Sequence, residues 1–97
     1  MINVQTSQGI GLSLSFVQVN RTFGDKGIRA CIECDVYANG PSGMEFINRG
    51  ISICNPADAF NPRIGAHKAV QSALTRAAGF TKEDRQAVHD QVESWFQ

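Results

Sequence analysis

The residues of this chain best suited to chemistry are its three cysteines and two histidines. Cys31 and Cys34 form a Cys-x-x-Cys pair, a spacing that redox and zinc sites use. In a strand, however, positions i and i+3 point to opposite faces, so the two thiols should diverge. A zinc site would also need Cys54, His67 or His89, and none of these lies in a second zinc-ligand spacing. The sequence therefore predicts buried, reduced cysteines and no metal site.

A nucleophilic thiol is the other chemistry these residues allow. Cys54 would need a base and an orienting group, for which His67 or His89 and Asp58 are the candidates. No local signature surrounds Cys54, and histidines at such helical positions commonly face solvent. The Gly-x-Gly motif before the first predicted strand lacks the third glycine and the following helix of a nucleotide site. We therefore expect no catalytic residue, no cofactor and no enzymatic activity.

Alternation of apolar and polar residues predicts three strands, at residues 9–20, 28–38 and 44–54. Glycine-rich turns separate them, so they should form an antiparallel meander. The alternation slips at Phe16–Val17, and its parity changes within the third segment near Gly50, which β-bulges would explain. The predicted inward set comprises Leu12, Leu14, Ile32, Cys34 and Ile53. The helices should cover this set and leave the other face of the sheet to water or a partner.

Two helices are predicted near residues 62–78 and 82–96. Asn61 can cap the first, and Thr81 with Asp84 forms a capping box for the second. Small residues along the first helix indicate close approach to the sheet. Two aromatic residues should dock the second helix on the core, Trp95 and Phe96. The predicted class is α+β, a three-stranded antiparallel sheet (β-β-β-α-α) with two C-terminal helices packed on one face.

The length of 97 residues predicts one compact domain over residues 1–97. Only the first six residues could form a disordered tail. No leader of the secretory type opens the sequence, and no apolar run approaches the roughly 18–20 residues needed to span a bilayer. The odd number of cysteines favours reduced thiols. We expect a cytoplasmic protein without membrane contact; the sequence does not predict its oligomeric state.

Nine basic and nine acidic side chains cancel, but they are segregated along the chain. The first helix carries side chains that could contact nucleic-acid phosphates, Arg63, His67, Lys68 and Arg76. The second helix carries four acids, Glu83, Asp84, Asp90 and Glu93. Carboxylates spaced along a helix can imitate phosphates and occupy a cationic groove, although acids in a first turn also suit the helix dipole. Further acids lie on the sheet side, Asp25, Glu33 and Asp35.

A strand–turn–helix stretch from Arg49 to Gly65, continued by Ala69 and Ala73, resembles a pattern of small phage and prophage proteins. The pattern reads Cys-x-Pro-x-Asp-x-Phe-x-x-x-x-Gly and begins at Cys54. Its residues have structural roles: the proline and aspartate build a turn, the phenylalanine closes the base of the helix, and the glycine lets helix and sheet approach. The resemblance covers about a third of the chain.

Among such proteins, the chain is similar to the anti-CRISPR proteins directed at type I surveillance complexes. The resemblance implies a stoichiometric inhibitor that binds a host CRISPR-Cas protein or ribonucleoprotein and hinders target DNA from binding. It implies no particular site residues. We expect the seven acids to contact the partner and to lie outside the apolar faces. The alternative function is a small nucleic-acid-binding module that uses the basic face of the first helix.

Overall fold

The computed structural model describes residues 1–6, 9–55, 59–76 and 79–96. Its elements in chain order are strands β1 (Ile2–Gln5), β2 (Gly11–Thr22), β3 (Ile28–Gly40) and β4 (Gly43–Ile53), then helices α1 (Pro62–Arg76) and α2 (Lys82–Trp95). A single 3₁₀ turn at Gly24–Lys26 lies between β2 and β3. The predicted α+β class is confirmed, but the number of strands is not.

The strands form one antiparallel sheet in the order β1-β2-β3-β4. The prediction of three strands is wrong because the N-terminal residues add β1, in which Ile2 lies opposite Leu14 and Val4 opposite Leu12. Both β1 side chains are buried. Burial contributes about 1.5–3 kcal/mol for each such side chain, and pairing with β2 adds backbone hydrogen bonds that also hold the strand on the sheet.

Both helices pack on one face of the sheet, as predicted. Helix α1 lies across β3 and β4, and α2 contacts α1 and β1. Fully buried side chains fill the space between the layers, the largest being Leu12, Leu14, Leu74, Val36, Val70, Val88 and Val92. In the described part of the chain, neither helix has the length and apolar character needed to cross a membrane.

Glycines let α1 lie directly on the sheet. A Cβ atom at Gly50 would overlap the backbone of Ala69 and Ala73 in α1, and one at Gly65 would come within 2.9 Å of Ile32 Cγ1. The predicted close approach of helix and sheet is therefore confirmed. Gly50 keeps a regular register with β3, so its interpretation as a bulge is wrong. The glycine is there because the helix leaves no room for a side chain.

The register shift of the sheet lies between Val36 and Tyr37 and leaves Ile47 of β4 as the extra residue. Strand β2 pairs with β3 along its whole length without interruption. The predicted bulge at Phe16–Val17 is therefore wrong. The two adjacent apolar residues instead point to opposite faces, with Phe16 packed against the core and Val17 exposed on the other side.

Strand β4 alternates as expected, but the side expected to face the core faces away from the helices. Apart from Ile47, which packs against the core, its large apolar side chains point away from the helices, Met44, Phe46, Ile51 and Ile53. Ile53 is 53% exposed, so its prediction as an inward residue is wrong; the other four members of that set are buried. The inward positions are occupied by Gly50 and Ser52, because α1 lies too close for larger side chains.

The capping predictions are confirmed. Thr81 Oγ1 accepts a hydrogen bond from Asp84 N at 3.1 Å, and Asp84 Oδ2 accepts one from Thr81 N at 3.3 Å. Asn61 Oδ1 accepts from Ile64 N at 3.2 Å at the start of α1. These bonds satisfy backbone donors that have no partner within the first turn of a helix.

The end of α2 lies outside the core. Trp95 and Phe96 are exposed and meet edge to face, with ring centroids 6.3 Å apart. The prediction that they dock on the core is wrong. Val88 and Val92 already fill the side of α2 that contacts the rest of the protein.

Candidate functional site

The face of the sheet opposite the helices is covered by no described element; we call it the uncovered sheet face. Two rows of paired residues cross its centre. One row is Val17–Glu33–Ile51 and the next is Val19–Cys31–Ile53. Paired residues in antiparallel strands point to the same side, so each row forms a continuous strip of surface.

The rim of these rows is apolar and open to solvent. Val17 is 51% exposed and Ile51 is 46% exposed. At the β3–β4 hairpin, the exposed Phe46 stacks edge to face with Tyr37, with ring centroids 5.7 Å apart. Large apolar side chains clustered on one side of a rigid sheet mark a surface suited to binding another molecule.

Two arginine–carboxylate pairs lie among these apolar side chains. Arg21 contacts both carboxylate oxygens of Glu33, with its Nε donating to Oε1 at 3.1 Å. Arg49 donates from Nε to Asp35 Oδ1 at 2.6 Å and from Nη2 to Oδ2 at 3.1 Å. The Asp35 hydrogen bond raises the pKa of Arg49 above its usual value. Such bidentate pairs hold both side chains in fixed orientations.

A depression of about 290 Å³ opens between these groups. Its walls include Arg21, Arg49, Ile51 and Ile53, and it extends past the edge of β4 to Ser72 of α1. A larger pocket of about 350 Å³ lies elsewhere, between the end of β4 and the start of α1. Its lining residues flank positions 56–58, which lie outside the described part of the chain, so we build no site on it.

Cys31 and Cys34 point to opposite faces of the sheet, as predicted from their spacing. Cys34 lies in the core under the helices, and Cys31 lies on the other side between Val19 and Ile53. Neither exposes any surface. Burial raises the pKa of the Cys34 thiol to about 12 and also raises the pKa of Cys31. Both thiols therefore remain protonated and poorly nucleophilic at neutral pH.

The two histidines contact each other across the helices. His67 Nδ1 lies 2.9 Å from His89 Nδ1, and His67 Nε2 lies 2.8 Å from Glu93 Oε2. Both ring nitrogens of His67 are thus engaged in contacts with side chains of α2. Across residues 1–6, 9–55, 59–76 and 79–96, no cluster of three or more histidine, cysteine or acidic side chains is placed to hold a metal ion.

The four predicted acids of α2 have different surroundings. Asp84 is buried and closes the capping box. Glu93 pairs with Arg63 and His67, and these hydrogen bonds lower its pKa. Asp90 accepts a hydrogen bond from the adjacent Gln86, and Glu83 is exposed. The expectation that these acids lie outside the apolar faces is wrong for Asp84, because the cap turns it inward.

The three predicted acids on the sheet side are not grouped with those of α2. Asp25 is exposed in the turn between β2 and β3, whereas Glu33 and Asp35 lie on the uncovered sheet face. Glu33 is buried beside Arg21 and lies between Val17 and Ile51, so it too departs from the expectation that these acids lie outside the apolar faces. The sheet and helix acids lie in opposite layers of the fold and do not form one acidic surface.

The predicted phosphate-contacting residues of α1 are likewise only partly available. Arg63 and His67 are both engaged with Glu93. Lys68 is exposed one residue further along the helix. Arg76 is the last residue of α1, and its side chain lies outside the described part of the structure.

Truncation of the cap residue Asp84 should lower the free energy of unfolding. Asp84→Ala removes one half of the capping box and a carboxylate from the first turn of α2, which we expect to cost about 1–2 kcal/mol. Glu83→Ala, at the exposed neighbouring position, should cost less than about 0.5 kcal/mol. Urea denaturation of both variants measures the difference, and equal losses would contradict the structural role of Asp84.

Comparison with protein-family models, with curated proteins and with solved structures finds no match to this chain. The sequence left the uncovered sheet face to water or a partner and placed Glu33 and Asp35 on it, but it did not predict the apolar side chains around them. The alternation of small and large residues in β4 is the sequence signal that could have predicted this apolar surface. Gly50 and Ser52 are too small to build a core, which indicates that the larger residues between them and beyond them face outward.

Proposed function

We propose that this protein is a stoichiometric inhibitor that acts in the host cytoplasm by binding a type I CRISPR surveillance complex through the uncovered sheet face. The observation that carries the proposal is the reversed alternation of β4. A strand that turns Ile51 and Ile53 to solvent and Gly50 and Ser52 inward keeps apolar area available for a partner. Removing that area from water stabilises a complex by about 25 cal/mol per Å² before the costs of association.

The composition of this face suits a protein partner. Aliphatic and aromatic side chains supply contact area, and arginines are among the residues that contribute most to protein–protein binding. Arg21 and Arg49 are already oriented by Glu33 and Asp35. A partner therefore meets side chains that have little rotational freedom left to lose, which lowers the entropic cost of binding.

The choice of target rests on the resemblance of residues 49–65 to the phage pattern. This stretch supplies the outward-facing Ile51 and Ile53 at one end and Gly65, which seats α1 on the sheet, at the other. The segment that carries the resemblance therefore also builds part of the proposed surface. We place the binding energy on this face rather than on imitation of DNA by acids, because most of the predicted acids are paired or buried.

The proposal is tested by measuring two binding reactions in parallel. Purified protein should bind a purified type I surveillance complex, and it should not bind free double-stranded DNA or RNA at physiological salt. Binding to free nucleic acid with a steep salt dependence, without binding to the complex, would favour the alternative nucleic-acid module. Arg63→Glu and Lys68→Glu should leave binding of the complex unchanged.

A further inference from the structure

A chain of four polar side chains joins the two helices on the side of the protein away from the uncovered sheet face. Arg63 and His67 come from α1, and His89 and Glu93 come from α2. Arg63 donates to Glu93 through Nε at 3.0 Å, and Glu93 contacts His67 Nε2. His67 in turn faces His89. Both imidazoles are half-buried, so their contact is partly shielded from water.

The two imidazole rings meet end to end. Their centroids are 5.2 Å apart and their planes differ by 24°. At this centroid distance, 2.9 Å is about the shortest separation that two ring nitrogens can have, so both Nδ1 atoms lie close to the line that joins the rings. Nitrogens aimed at each other share one proton in a hydrogen bond. They do not converge on a third point, as two ligands of one metal ion must.

The number of protons on the pair decides whether this bond exists. Glu93 is ionised and accepts from His67 Nε2, which leaves His67 Nδ1 to accept the proton of His89 Nδ1. One added proton is tolerated, because either ring can carry it while the other Nδ1 remains an acceptor. A second added proton turns both Nδ1 atoms into donors, and two donors cannot bond to each other.

We propose that the His67–His89 pair is a pH-sensitive latch between α1 and α2, closed while the two rings together carry at most one positive charge and opened by a second. The charged groups around the pair are Arg63 on α1 and Asp90 and Glu93 on α2. Strand β1, which also contacts α2, has no charged side chain. The arginine–carboxylate pairs of the sheet are directed to its other face.

The direction of the pH response follows from His89. Burial lowers its pKa below the ordinary 6.5, the charge of His67 lowers it further, and Asp90 opposes both effects. Because the folded pKa is depressed, the unfolded chain takes up this proton first. The contribution to stability is therefore present above about pH 6.5 and is lost as the pH falls below it.

Amide hydrogen exchange in α2 of the full-length protein tests the latch between about pH 7.5 and about pH 5. After correction for intrinsic exchange, we expect protection to fall severalfold toward the acidic end, because the His89 pKa is lowered in the folded protein and the second proton is taken up only as the latch opens. Nitrogen NMR at neutral pH should show a protonated Nε2 and an unprotonated Nδ1 on His67. Constant protection across this range, or the opposite tautomer of His67, would overturn the proposal.

The matched variant is His89→Asn. The nitrogen of the asparagine amide can donate to His67 Nδ1 when that atom is unprotonated. The amide oxygen can accept from His67 Nδ1 when that atom is protonated. Protection of the α2 amides from hydrogen exchange should therefore no longer depend on pH. A variant that loses protection as the wild type does would also overturn the latch. If His89→Asn does not fold, His67→Asn provides the same comparison from the other helix.

Discussion

Gly50→Ala should destabilise the fold by about 3 kcal/mol, at the upper end of the usual cost of overpacking. The new methyl group would overlap the carbonyl oxygen of Ala69 and the backbone nitrogen of Ala73, and would lie 2.9 Å from the Ala73 side chain. Backbone atoms in the middle of a helix cannot move aside singly. Helix α1 must therefore shift away from β4, and urea denaturation should record the loss.

Gly40→Ala is the matched control for this prediction. Gly40 lies in the same sheet with a negative φ, and the nearest atom to its added methyl group would be Gly43 O at 3.8 Å, an ordinary contact. We expect its effect to stay within about 1 kcal/mol in either direction. Similar losses for the two variants would mean that α1 does not press on β4 as the structure has it.

The second large effect is expected at the uncovered sheet face. Ile51→Lys and Ile53→Lys should each weaken binding of the surveillance complex at least tenfold, because each places a charge without a partner in the contact and removes apolar area. Both positions are exposed in the free protein, so the fold should be preserved. Titration of labelled protein with the complex gives the dissociation constants.

Ile28→Lys provides the control for this surface. Ile28 is 68% exposed at the start of β3, but its register places it on the opposite side of the sheet from Ile51 and Ile53. The same substitution there should leave binding unchanged. If all three variants bind equally well, the uncovered sheet face is not the contact. If the lysines at 51 and 53 strengthen binding, the partner presents phosphates instead.

The sequence was sufficient for the parts of the fold that depend on local pattern. The β2–β3–β4 meander followed from alternation and turn residues, and the helix starts followed from caps such as Thr81 and Asp84. Strand β1 was missed because Ile2 and Val4 alone make too short an alternation. They count as a strand only when Leu12 and Leu14 are seen opposite them.

Hydrophobicity alone could not predict which side of β4 faces the helices. Its alternation identified two sides correctly, but the apolar side is normally the buried one. The opposite holds for Ile51 and Ile53 because α1 approaches this part of β4 so closely that the inward positions beside them are occupied by the small residues Gly50 and Ser52. That choice depends on the distance between two elements, which no local pattern contains.

The predicted acids also show that local sequence pattern does not reveal contacts between distant elements. Spacing along α2 placed Glu93 correctly on a polar side of the helix, but its partners Arg63 and His67 precede it by 30 and 26 residues. Sequence pattern therefore located charges without revealing which of them are already paired. This is why the acids of α2 looked like a surface for a cationic partner, while the apolar character of the other sheet face was not predicted.

We propose that the uncovered sheet face binds a type I surveillance complex and thereby prevents target DNA from binding it. The most direct measurement titrates wild-type protein, and in parallel the Ile51→Lys variant, into a purified complex while target-DNA binding is followed at equilibrium. We predict loss of DNA binding at a fixed stoichiometric ratio with the wild type and a shift of at least tenfold to higher concentration with the variant. Unimpaired DNA binding at large molar excess of the wild type, across several such complexes, would contradict it.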